Sequence, residues 1–122
     1  MNAEMLIEKL GLVPLPGEGG YYRETYRSQE TVPQGVLPER YGGDKHMATA
    51  IYCLLTSETF SALHRLPADE MFHFYLGDPV TMLQLFPDGS ARTMTLGNDI
   101  LAGHFPQCVV ARGGRPNGLP AA

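Results

Sequence analysis

His64-Arg-Leu-Pro-Ala-Asp-Glu-Met-Phe-His-Phe-Tyr-Leu-Gly77 decides how this chain of 122 residues is read. A histidine is followed six residues later by a glutamate, Glu70, and that in turn by Gly77 after seven more. In an unbroken strand, rising about 3.3 Å per residue, His64 and Glu70 would stand roughly 20 Å apart. The Leu66-Pro67-Ala68-Asp69 break changes that. Proline cannot donate to a strand ladder and aspartate favours turns, so the stretch reads as strand, turn, strand. That arrangement can set His64 beside Glu70. A neighbouring imidazole and carboxylate can move a proton or hold a metal.

Alternation extends the reading. Glu70, Phe72 and Phe74 fall on one face, with Met71, His73 and Tyr75 on the other. His64 shares its face with Phe60, Ala62 and Leu66. His64, Glu70, Phe72 and Phe74 are therefore expected to share the interior. A carboxylate on an apolar face requires a partner or a raised pKa. The opposite face, with His73, is expected to pack against another sheet or a subunit.

Outward from this stretch the chain reads as short strands with turn signals between them. Residues 2–11 form a short helix, with an apolar face of Leu6, Ile7 and Leu10 and Gly11 to end it. Residues 21–28 alternate aromatic and polar side chains as a strand, with Tyr22, Glu24 and Tyr26 on one face. Residues 29–46 read as a surface loop. Ala48 to Thr56 is a continuous apolar run, expected to be a strand buried on both faces. Strands follow at 59–66, 70–76 and 80–86. Pro87-Asp88-Gly89-Ser90 marks a hairpin, with returning strands at 91–96 and 105–111. Such a series after one helix means an all-β sandwich or small barrel. Residues 1–112 read as a single domain. Gly113 to Ala122 reads as an irregular tail, because its glycines and prolines break a strand.

Composition narrows the function. Net charge is -4, hydrophobic residues are 43% and charged residues 18%, as in a soluble globular chain. No basic run interleaved with aromatics suggests nucleic acid, and no apolar stretch spans a membrane. The N-terminus carries Glu4 and Glu8 where a signal peptide would be basic. Cys53 and Cys108 lie in apolar contexts, as reduced, packed thiols of a cytoplasmic protein do.

Three motifs resemble the cupin superfamily and, within it, the uncharacterised cupin-like family of predicted sugar epimerases. They are EGGYYRETYRS (18–28), the block at 48–80, and GHFPQCVV (103–110). The resemblance implies a double-stranded β-helix, a jelly-roll-like barrel, commonly dimeric, with a pocket inside. His64, Glu70 and Gly77 match the first cupin motif, with Leu66 in place of its second histidine. In the second motif Ala111 replaces a proline, Gly113 remains and no histidine follows. His64 plus Glu70 leaves too few ligands for a tight divalent metal, so no cofactor is expected.

The resemblance implies a small polar or carbohydrate-like ligand, with His64 and Glu70 as catalytic residues. Tyr22, Glu24, Phe72, Phe74 and Gln107 would bind it. Related deoxysugar epimerases pair such a histidine with a lysine and a tyrosine, and Glu70 takes the lysine's place by spacing. A carboxylate stabilises an enolate only when protonated. The alternatives are a non-catalytic small-molecule-binding cupin and an inactive copy, truncated or frame-shifted so that C-terminal strands are missing. Open strand edges predict a homodimer, through residues 48–55 or the face of Met71, His73 and Tyr75.

Overall fold

The computed structural model describes residues 1–17, 19–59 and 68–111, and the backbone of 115–120. Two compact units emerge, one of residues 1–16 and 20–54, the other of residues 17–19 and 55–122. Among the described residues both consist of antiparallel strands, with one short α-helix and two single-turn 3-10 helices in the first and one 3-10 helix in the second.

Helix α1 spans Ala3–Leu10. Asn2 caps it, its Oδ1 accepting from the Met5 N–H at 2.9 Å, which satisfies one of the amides a helix start leaves open. Gly11 ends it in the left-handed region at φ 65°, where a side chain would be strained. Strands β1 (Val13–Pro14), β2 (Tyr21–Arg27) and β5 (Thr49–Leu54) form one sheet in the order β1-β2-β5, and β3 (Thr31–Val32) pairs with β4 (Lys45–His46). The latter pair interrupts what the sequence suggests is one loop. Its partners are Thr31 with His46 and Val32 with Lys45.

Strand β2 contains a bulge. Glu24 pairs with Ile51 and Tyr26 with Ala50, so Thr25 is an extra residue. Its hydroxyl donates to the Ala50 carbonyl at 3.2 Å. Because side chains alternate along a strand, one extra residue inverts everything beyond it. Tyr26 therefore leaves the face of Tyr22 and Glu24, where alternation alone would put it.

Strand β5 differs from expectation in burial. Of its six residues only Leu54 is partly covered, and Ile51 is 48% exposed. The apolar run correctly indicates a strand. Its burial depends on what lies over its faces, and β5 pairs with β2 alone among the described strands.

The second unit contains β6 (Glu70–His73), β7 (Val80–Leu85), β8 (Ala91–Leu96), β9 (Gln107–Val110) and β10 (Arg115–Pro120). β6 pairs with β9, while β7 lies between β10 and β8. The β7–β8 hairpin closes where the turn residues predict. Asp88 Oδ1 accepts from the Ser90 amide and hydroxyl, and Gly89 supplies φ 87°. Residues 115–120 run as a strand on β7, where the sequence suggests coil. Among the described strands β10 has β7 as its one neighbour, and ladder donors on its other side are unneeded there. Pro116, Gly118 and Pro120 recur at period two, so their nitrogens share one side of the strand. The strand expected at 59–66 lies almost wholly outside the described residues.

The core of this unit is Met82, Leu96, Cys108 and Val110, against which Phe72, Phe74, Val80 and Met94 pack. Among the described residues, no helix is long and apolar enough to cross a membrane. Met82 is 1% exposed and Met71 56%, which predicts opposite responses to truncation. Met82→Ala should cost about 2–5 kcal/mol, and Met71→Ala within about 0.5 kcal/mol. Urea unfolding of both variants checks this.

Candidate functional site

β6 positions the candidate side chains by alternation. Glu70 and Phe72 are partly buried, while Met71 and His73 are exposed. Phe74 continues the inner face, its amide held by the Pro106 carbonyl at 2.8 Å. The register with β9 pairs Glu70 with Val110 and Phe72 with Cys108. Directly opposed residues share a face, so the inner face carries Glu70, Phe72, Phe74, Cys108 and Val110. Glu70 Oε2 is shut off from solvent. The structure thus brings Glu70, Phe72 and Phe74 together. His64 lies outside the described residues, as do Glu18 and Leu66.

Gln107 does not join them. It pairs with His73 on the outer face and is exposed. The same period-two rule that turns Cys108 inward turns Gln107 outward. On that outer face His73 stacks on Tyr75, with ring centroids 6.3 Å apart and planes 15° apart.

In the first unit, Tyr22 is half-buried and Glu24 exposed. Arg27 grips the Glu24 carboxylate with two hydrogen bonds, Nη2 to Oε1 at 2.6 Å and Nε to Oε2 at 3.1 Å. Positions three apart normally face opposite ways on a strand, and the bulge at Thr25 brings these two to one side. This bidentate hydrogen bonding, more than charge alone, holds the Glu24 carboxyl below its ordinary range. Glu24 is therefore committed to an ion pair, which any ligand must displace.

One inner-face group escapes sequence reasoning. Gln84 is 2% exposed. Its Nε2 points at three sulfurs, 3.4 Å from Met94 Sδ, 3.6 Å from Met82 Sδ and 3.7 Å from Cys108 Sγ. Its Oε1 accepts from Arg92 Nη2 at 3.4 Å, and Arg92 is its directly paired neighbour on β8. The available signal is parity, since Gln84 falls in step with Val80 and Met82. The other parity, Thr81, Leu83 and Leu85, is equally apolar, so the pattern does not say which face is inside. Burial raises the Cys108 thiol pKa; Arg92 and the Gln84 hydrogen bond oppose that only in part. Among the described residues no three His, Cys, Asp or Glu side chains gather as a metal cluster.

The family model described as Cupin superfamily (DUF985) matches residues 4–115. The chain belongs to the cupin superfamily. A hypothetical protein from Leishmania major is similar in structure, with a TM-score of 0.88 and 33% identity over 100% of this chain and 72% of that one. A protein from Shewanella oneidensis is similar at a TM-score of 0.84 and 34% identity, over 100% of this chain and 71% of that one. No curated protein matches the chain. The cupin resemblance of the three sequence motifs thus holds across most of the chain.

Two measurements check these placements. A carboxyl whose pKa falls on folding stabilises the fold above the ordinary range, and that contribution is lost as pH drops through the lower folded value. The NMR titration midpoint of Glu24 should therefore lie below the usual value of about 4.3, and Arg27→Gln should return it there. Cys53 is exposed and Cys108 buried. A thiol reagent should accordingly leave Cys108 unmodified until the protein is denatured.

Proposed function

We propose that this cupin binds a small polar, carbohydrate-like molecule against the inner face of its second unit. One observation carries the reading: the Glu70 carboxylate shares a face with Phe72 and Phe74 and has one oxygen out of contact with water. A placed charged group on an otherwise apolar, aromatic wall is the usual composition of a small-molecule site. The phenyl rings suit the apolar face of a sugar ring, and Glu70 suits its hydroxyls.

Epimerisation is the candidate chemistry. His64 would take the proton next to a carbonyl, since imidazole titrates near neutral pH. Glu70, protonated, would donate from the other side. The carboxylate standing where related epimerases hold an ammonium favours, as the second reading, binding without turnover. The chain is further proposed to form a homodimer through β5, whose exposed apolar side chains a second copy would cover.

Native mass spectrometry of protein purified under mild conditions tests the binding. A non-covalent small-molecule adduct is expected, reduced at least tenfold in Glu70→Gln. A bare wild-type mass, with no thermal shift from a panel of aldoses and keto sugars, would contradict it. Catalysis is read separately. A keto sugar in D2O should gain deuterium next to its carbonyl, and His64→Asn should abolish the gain. Binding without exchange selects the second reading. Light scattering at micromolar concentration should give the mass of a dimer, and a monomer mass would exclude the β5 interface.

A further inference from the structure

We propose that Met82, Met94 and Cys108 form a binding site for a soft monovalent metal ion, copper(I) in kind, on the inner face of the second unit.

Three strands supply the three sulfurs. Met82 on β7 pairs directly with Met94 on β8, and Cys108 comes from β9. Cys108 Sγ stands 3.0 Å from Met94 Sδ and 4.0 Å from Met82 Sδ. A single atom, Gln84 Nε2, lies 3.4–3.7 Å from all three. The three sulfurs therefore surround one amide nitrogen. An ion with metal–sulfur bonds of about 2.3 Å, the length zinc thiolates show, would hold three trigonal sulfurs about 4 Å apart. The Met82–Cys108 spacing already fits, and the Met94 sulfur needs a shift of about 1 Å, within reach of an unbranched thioether. The Gln84 amide would swing aside, keeping its carbonyl toward Arg92.

Chemistry selects the ion. Thioether and thiolate ligands prefer copper(I) over the harder divalent metals. Charge selects it again. The site lies among Leu96, Val110, Phe72 and Phe74, where net charge is costly. The Cys108 thiol exchanges its proton for the ion, so that Cys–SH and M⁺ become Cys–S–M and H⁺. A monovalent ion leaves the site neutral, whereas a divalent ion would leave a buried positive charge. No electron is transferred.

The site shares a face with Glu70 but does not use it, so its test is separate from that of the proposed function. Copper(I) is supplied under reductant in competition with a chromogenic copper(I) chelator. A Cys53→Ser background removes the exposed thiol. One ion per chain is expected, with an absorption-edge spectrum reporting sulfur ligands only. Cys108→Ser, and separately the volume-conserving pair Met82→Leu with Met94→Leu, should each weaken binding at least tenfold. Glu70→Gln should leave it unchanged. Circular dichroism and the melting temperature confirm that the variants fold. The proposal fails if the Cys53→Ser protein takes up no copper(I), or if the folded double-leucine protein binds as tightly as its parent.

Discussion

The register of β6 against β9 is the constraint on which the candidate site depends. Glu70 opposite Val110 and Phe72 opposite Cys108 put one carboxylate and two rings on the core side. A slip of β6 by one residue would bring Met71 and His73 inward and turn Glu70 and Phe72 out. Packing of Phe72 and Phe74 against the core resists that slip, because the alternative would put Met71 and His73, both exposed here, on the core side. The same alternation that builds the core thus presents the polar group. Fold and site are specified by one pairing.

Within that face, Gln84 satisfies its amide by unusual means. A buried amide without hydrogen bonds is costly. Here the donor end meets sulfur, a weak acceptor, and the acceptor end meets a guanidinium that remains at the surface. The arrangement holds a polar side chain in the core without an internal charge. It also collects three polarisable sulfurs around one point, which apolar packing alone would not require.

Much of this was legible in the sequence, for local reasons. Asn2 and Gly11 bound the helix because their chemistry suits caps wherever they occur. Asp88 and Gly89 close the hairpin by the same logic. Glu70, Phe72 and Phe74 share a face because alternation is a property of the strand itself. What the sequence left hidden depends on non-local facts. The bulge at Thr25 has no glycine or proline to announce it, yet it moves Tyr26 off the face of Glu24 and brings Arg27 onto it. Both parities of β7 are apolar, so the pattern does not choose its inward side or single out Gln84. The exposure of β5 depends on what covers it. The strand at 115–120 tolerates its prolines because β7 is its one neighbour among the described strands, and edge position is a property of the sheet. Gln107 starts its strand one residue before Cys108, and its parity sets it outward.

The inner-face assignment is the central claim, and methionine methyl NMR with a soluble paramagnetic agent tests it most directly. Met71 lies on the outer face of β6, and Met82 and Met94 on the inner faces of β7 and β8. The Met71 methyl signal should be strongly attenuated while those of Met82 and Met94 persist, with Overhauser contacts from Met94 to the core of Cys108 and Phe72. Equal attenuation of all three, or a protected Met71 beside an attenuated Met82, would contradict the register and, with it, the site built on Glu70.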